Sequence, residues 1–179
     1  MIALVTGGAA SGKSAYAEQL ACDLSPVRTY LATMAPGGEE AQTRIDRHRA
    51  QRAGGHFATI ERTGTLLGEA PTPQAASGVL LLDDVGNLVS NALFGADGSV
   101  ADAGMVLDRL DAEFAQLAGA YAHVVVVGNE VGSDGVFFTD ENGTWVRLVG
   151  SLCCRIAARS DMVVEVVAGV PYAAKGTLR

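Results

Sequence analysis

The stretch TGGAASGKSA, residues 6–15, follows directly on the apolar run Ile2, Ala3, Leu4 and Val5. It meets the pattern G-x-x-x-x-G-K-S/T in full, with Gly7, Gly12, Lys13 and Ser14 at the fixed positions. A strand that ends in such a loop and feeds a helix leaves several backbone N–H groups pointing into one concavity, with the positive end of the helix dipole behind them. That arrangement suits the phosphates of a nucleotide. Glycine is required where a side chain would keep the backbone from its ligand, Lys13 can reach the β- and γ-phosphates, and the Ser14 hydroxyl is of the kind that holds Mg²⁺. A helix is predicted from Lys13 to Cys22, with Tyr16 and Leu20 on one face.

The rest of the chain agrees with that start. A length of 179 residues predicts a single domain, residues 1–179, large enough to bury a core without disulfides. Hydrophobic residues make up 49% and aromatic ones only 6%, so the core is expected to be Val, Leu and Ala, as in parallel strands covered by helices. Thirteen basic against twenty acidic residues give a net charge of −7, which argues against a surface that grips nucleic acid by its phosphates. A small nucleotide is still allowed, because backbone amides and a metal ion do that binding. Cys22 stands alone and Cys153 and Cys154 are adjacent, which is neither metal-site nor disulfide spacing. No basic leader precedes the first apolar run and no stretch has the length of a membrane span, so a cytoplasmic protein is expected.

Strands are predicted at residues 2–6, 28–34, 79–85, 123–129 and 162–168, each an apolar run rich in β-branched residues or Leu. Between them the clearest helix is 102–119, where Val106, Leu110, Phe114 and Leu117 recur at three or four residues while Asp108, Asp111 and Glu113 are expected to face away. The stretch around Pro71, Pro73 and Ser77 reads as a connection. Alternating strands and helices predict an α/β fold with a mainly parallel sheet covered on both faces, and ligands of such sheets bind beyond the strand C-termini.

Several polar residues fall at those ends. Asp83 and Asp84 follow the strand VLLL; an acid there commonly serves Mg²⁺, so Asp83 is the metal-side candidate and Asp84 the cap of the next helix. Asn129 and Glu130 close another strand and could orient a ligand or form a turn. The segment EEAQTRIDRHRAQR, residues 39–52, permits a helix but lacks an apolar stripe. On a helix, Arg44, His48 and Arg52 would share one face, an imidazole between two guanidinium groups, suited either to nucleophilic attack on phosphorus or to a solvated surface. His56 and His123 show no such pattern and are read as structural.

Taken in order, TGGAASGKSAYAE, YLAT, RIDRHR, LLLDDVGNLVSNALF, NEVG and VAGVPYAAKG resemble the adenosylcobinamide kinase and adenosylcobinamide-phosphate guanylyltransferase family along nearly the whole chain. The resemblance implies a P-loop NTPase-type fold and a bifunctional transferase of late cobalamin biosynthesis. Such an enzyme phosphorylates adenosylcobinamide with ATP or GTP, then transfers GMP from GTP through a guanylyl-histidine. It places the nucleophile at His48 and nucleotide contacts at Gly7, Gly8, Ala9, Ala10, Ser11, Gly12, Lys13, Ser14, Ala32, Thr33, Met34, Arg49, Gln51, Arg52, Glu61 and Asp83, with Ser14 and Asp83 serving Mg²⁺. It also implies a homotrimer acting on a corrinoid, with the histidine segment near a neighbouring subunit. Where the family carries an acid and an Asn-Gln pair, this chain has Arg147, Cys153 and Cys154. A phosphate-loop kinase without the histidine step, or a GTP-binding subunit without chemistry, would use the same loop.

Overall fold

A computed structural model describes residues 1–35, 54–68, 73–132, 135–136 and 138–178. Its centre is a seven-stranded sheet in the order β3-β2-β4-β5-β1-β6-β7, built from β1 (Ile2–Thr6), β2 (Arg28–Ala32), β3 (Ala58–Glu61), β4 (Val79–Asp83), β5 (His123–Val127), β6 (Met162–Val167) and β7 (Val170–Lys175). All neighbours pair parallel except β6 with β7.

The unbroken apolar runs follow from burial on both faces. Because side chains alternate along a strand, Leu4, Leu80, Leu82, Val124 and Val126 point to one side. There they meet α2 (Val85–Leu93), α3 (Ala103–Ala120) and α4 (Glu141–Arg159), through residues such as Leu88, Phe114 and Leu152. Ala3, Val5, Leu81, Val125 and Val127 point to the other side, where α1 (Lys13–Leu24) lays down Ala17, Leu20 and Ala21. Burying a Leu or Phe side chain completely contributes roughly 1.5–3 kcal/mol, so the sheet centre supplies the stability and its rim can remain polar.

The strands at 28, 79, 123 and 162 begin where predicted, but they end at Ala32, Asp83, Val127 and Val167. In the first three the residues beyond leave the ladder and build the rim described below. Two strands lack a run of their own. β3, ATIE, is a largely exposed outer strand. β7 is paired only through a two-residue hairpin in which Ala168 (φ 49°) and Gly169 (φ 82°) both take left-handed backbone, as such turns require.

Helix α3 corrects one expectation. Glu113 does not face solvent but is buried, its Oε2 accepting hydrogen bonds from the Leu66 N–H and the Thr65 hydroxyl while Oε1 pairs with Arg109. Its position explains this: it lies three residues after Leu110 and four before Leu117, on the apolar stripe itself. The charge is tolerated there because it is hydrogen-bonded. Asp111 also turns inward, toward Arg155 and Arg159 of α4, and the hydrogen bond from Arg159 is the main reason its carboxyl sits below the usual range. His123 has a structural setting, with Nδ1 3.4 Å from the chain's amino terminus.

Candidate active site

β1 ends between β5 and β6, at the point where successive connections depart to opposite sides of the sheet, and the glycine-rich loop occupies that point. Its glycines are fixed by contact. A Cβ on Gly7 would lie 2.5 Å from the Val166 carbonyl and 2.6 Å from Ser11 Oγ, and Gly12 has φ 93°. The hairpin turn between β6 and β7 braces the loop from outside, Gly169 N–H donating to the Ser11 carbonyl at 2.8 Å. Lys13 Nζ lies over the loop and donates to the Gly8 carbonyl at 3.0 Å.

The ends of the helices show what this loop is built for. Helices α2, α3 and α4 are each capped by an aspartate, Asp84, Asp102 and Asp140, whose carboxylate accepts from a first-turn amide. Helix α1 starts at Gly12 with no side-chain cap. Its first-turn amides therefore keep their donors for an external acceptor, and the dipole behind them selects an anion. Ser11 Oγ is buried and has no hydrogen-bond partner among the described residues, a second polar atom of the loop left unsatisfied there. Ser14, half-buried in the first turn, adds a hydroxyl.

Beyond the loop a belt of hydrogen bonds runs along the strand C-termini. Glu130 N–H donates to the Gly7 carbonyl at 3.2 Å, linking the β5 end to the loop. Asn129 Oδ1 accepts from Gly86 N–H at 2.8 Å, linking β5 to the turn after β4. Thr33 Oγ1 donates to the Asp84 carbonyl at 2.7 Å and accepts from the Asp84 N–H at 2.8 Å, linking β4 to β2. Arg62 N–H reaches the Ala32 carbonyl at 2.9 Å, linking β2 to β3.

This belt sorts the expected contacts. Adjacent strands lie about 4.8 Å apart, so two strand steps put Asp83 about 10 Å from the loop strand and four steps put Glu61 about 19 Å from it. The loop and Asp83 form one group. Ala32, Met34 and Glu61 form another on the outer strands, all with exposed surface. Thr33 is fully buried with its hydroxyl engaged, so it braces the rim between the two. His48, Arg49, Gln51 and Arg52 fall in the connection between β2 and β3, outside the described residues.

Tyr30, which the sequence does not single out, lies beneath the rim. Its hydroxyl donates to Asp83 Oδ2 at 2.8 Å, and its ring meets Phe57 edge-on at 6.4 Å. Asp84 takes the capping role expected of it, accepting from Asn87 N–H at 2.7 Å. From α4, Trp145 Nε1 donates to the Gly86 carbonyl at 3.1 Å. Cys153 packs where a Cβ on Gly128 would come within 3.2 Å of its sulfur, and burial pushes its thiol up to about 12, so it is a neutral packing group and no nucleophile. Among the described residues no cluster of three or more His, Cys, Asp or Glu side chains is placed to hold a metal, and no helix is long and apolar enough to cross a membrane.

A parallel sheet that places an uncapped, glycine-rich helix start at the switch point, with an acid at the end of the next strand but one, defines a P-loop nucleotide-binding protein. The fold is shared with the flagellar accessory protein FlaH of Methanocaldococcus jannaschii, at a TM-score of 0.52 and 15% identity over 99% of this chain and 81% of that one. It is shared too with an ATPase of the type III secretion system of pathogenic bacteria, at a TM-score of 0.54 and 12% identity over 92% of this chain and 50% of the other. Within this class the chain belongs to the cobinamide kinase / cobinamide phosphate guanyltransferase family, which it matches over residues 3–174. It is 32% identical to the bifunctional adenosylcobalamin biosynthesis protein CobP of Pseudomonas aeruginosa, over 97% of this chain and 96% of that protein. To the bifunctional adenosylcobalamin biosynthesis protein CobU of Escherichia coli it is 34% identical, over 95% and 97% of the two chains.

Proposed function

We propose that this protein is a bifunctional transferase that phosphorylates adenosylcobinamide with ATP or GTP and then converts the product to adenosylcobinamide-GDP with GTP. The observation that carries the reading is the uncapped start of α1 behind Gly7, Gly12 and Lys13, in a chain that belongs to this family. In the first reaction the substrate hydroxyl oxygen attacks the γ-phosphorus of the nucleotide and the nucleoside diphosphate leaves. In the second, a ring nitrogen of His48 attacks the α-phosphorus of GTP and pyrophosphate leaves; an oxygen of the substrate phosphate then attacks the guanylyl-histidine and frees the imidazole. Loop amides and Lys13 stabilise negative charge as it develops on the phosphates.

The oxygen donors at this site suit Mg²⁺, a hard cation that takes a hydroxyl and one or two carboxylates beside phosphate. Ser14 and Asp83 would hold it, and it would neutralise phosphate charge. Tyr30 orients the Asp83 carboxylate from behind, and such supports commonly account for 10- to 100-fold in metal affinity or activity. Tyr30→Phe is therefore expected to raise the Mg²⁺ concentration for half-maximal turnover roughly tenfold, read from a titration at saturating nucleotide.

Ala32, Met34 and Glu61, with Arg49, Gln51 and Arg52, supply further nucleotide contacts in this reading. The protein assembles as a homotrimer in which the segment bearing His48 reaches a neighbouring subunit, which accounts for its lack of an apolar stripe. The deciding experiment incubates the protein with adenosylcobinamide, ATP, GTP and Mg²⁺ and follows adenosylcobinamide phosphate and adenosylcobinamide-GDP separately. Both are expected. Phosphorylation alone would leave a kinase, and GTP binding with neither product would leave a non-catalytic subunit.

A further inference from the structure

Asn129, two residues past the end of β5, is the side chain that, among the described residues, crosses from there to Asp84 and the start of α2. Its Oδ1 holds the Gly86 amide at 2.8 Å and its Nδ2 faces Asp84 Oδ2 at 3.4 Å, while the next residue, Glu130, holds the phosphate loop through the Gly7 carbonyl. Gly86 is held at both of its main-chain polar groups, because Trp145 Nε1 donates to its carbonyl. Gly86 is also closely fitted: a Cβ there would lie 2.8 Å from Asn129 Oδ1. Other rim links either are main-chain hydrogen bonds or join β4 to β2, farther from the loop.

We propose that Asn129 is a positioning residue that holds Asp84 and the first turn of α2, directly after the acid Asp83, in register with the phosphate loop. The backbone ladder pairs Asp83 with Val127 and ends there; beyond it, this carboxamide ties Asp84 and the start of α2 to the end of β5 and so supports the acid from its C-terminal side. Asn129 need not touch the nucleotide. Its removal leaves the loop's own donors in place and lets the start of α2 shift relative to β5, with Thr33 and Trp145 as its remaining side-chain holds. Misplacement of about 1 Å in such a site can cost roughly 100-fold in rate, whereas binding through loop amides is unaffected.

The inference rests on the transferase reading only for its kinetic readout. Asn129→Ala is expected to lower kcat by about 10- to 100-fold in the phosphorylation step while KM for the nucleotide and equilibrium binding of a non-hydrolysable GTP analogue stay within about threefold. Asn129→Ser leaves a hydroxyl but cannot span to Gly86 and Asp84 together; it is expected to behave alike and serves if the alanine variant folds poorly. Asp84→Asn keeps an acceptor for the Asn87 amide, so a double-mutant cycle with Asn129→Ala separates positioning from general loss of stability. The two effects on kcat are expected to be non-additive, the double variant falling little below the worse single one. Full multiplication of the two effects, or a kcat within about twofold of wild type in both Asn129 variants, would overturn the proposal. Wild-type protein inactive in both half-reactions would instead count against the transferase reading, and the analogue-binding arm would stand unaffected.

Discussion

Replacing Lys13 by alanine is expected to abolish turnover in both half-reactions, with kcat/KM lower by about 10²- to 10³-fold or more, as when a single preorganised donor to developing charge is removed. The expectation follows from charge placement. Lys13 is the sole basic residue of the stretch 6–15, in a protein of net charge −7. Two carboxylates, Asp83 and Asp84, stand at the end of the next strand but one. Without Lys13 the phosphates would meet that negative rim with main-chain dipoles as their main counterweight. The ammonium now rests on the Gly8 carbonyl at 3.0 Å, a single charge-assisted hydrogen bond on a half-buried loop. Its loss costs stability on the order of 1.5–3 kcal/mol at most, so the variant should stay folded, and a thermal unfolding curve run beside the two product assays separates lost chemistry from lost structure. Lys13→Arg should fail nearly as badly, because a planar guanidinium cannot reproduce a compact ammonium packed on a glycine-rich loop. Turnover within about fivefold of wild type in the alanine variant, a range too small for a transition-state donor, would remove the loop from the chemistry.

What could be read from sequence, and what could not, divides along a physical line. Local patterns announce themselves. The cradle is contiguous, so Gly7, Gly12, Lys13 and Ser14 were visible as a unit, and the strands ending at Thr6, Asp83 and Val127 are apolar runs that need no knowledge of their neighbours. Elements stabilised by a partner were not visible. β3 and β7 exist because β2 and β6 offer open edges, and β7 even carries Pro171, a residue that argues against a central strand but is admissible at an edge. Helix α4 is less legible, although Asp140 caps it and Leu148, Leu152 and Ile156 repeat at four residues, because polar and small residues between them dilute the apolar stripe.

The rim was the least legible part. Thr33 with Asp84, Gly86 with Asn129, and Tyr30 with Asp83 are pairs separated by 51, 43 and 53 residues. No spacing rule brings them together; the strand order β2-β4-β5 does. Strands predicted to run to residues 34, 85 and 129 stop two residues early, and just past their ends Thr33, Asp84 and Asn129 make side-chain bonds across the rim of the sheet while Val85 opens α2. Glu113 shows the converse: composition places a charge in solvent, but this one lies on an apolar stripe because the amide of Leu66 needs an acceptor inside.

Substitution of His48 by alanine is expected to split the two activities: formation of adenosylcobinamide-GDP is lost, by about 10⁴-fold or more as when a covalent nucleophile is removed, while phosphorylation of adenosylcobinamide persists. A guanylyl group carried on imidazole divides a difficult encounter between two anions into two in-line displacements, and only the second reaction needs that carrier. With GTP labelled at the α-phosphate, wild-type protein should acquire a label that acid removes and base does not, as a phosphorus–nitrogen bond requires; the alanine variant should acquire none. Retention of the label in the variant would exclude His48. Retained phosphorylation guards against misfolding, and the Lys13→Ala variant, expected to lose both activities, provides the opposite pattern. Because the resemblance puts the histidine segment beside a neighbouring subunit, co-assembling the two inactive chains gives a further result. If the proposed trimer forms, an assembly containing both variants would pair some intact loops with histidines from another chain, and guanylyl transfer should return in the mixture. If each histidine serves the loop of its own chain, every mixed site lacks one of the two groups, and the mixture stays as inactive as its parts.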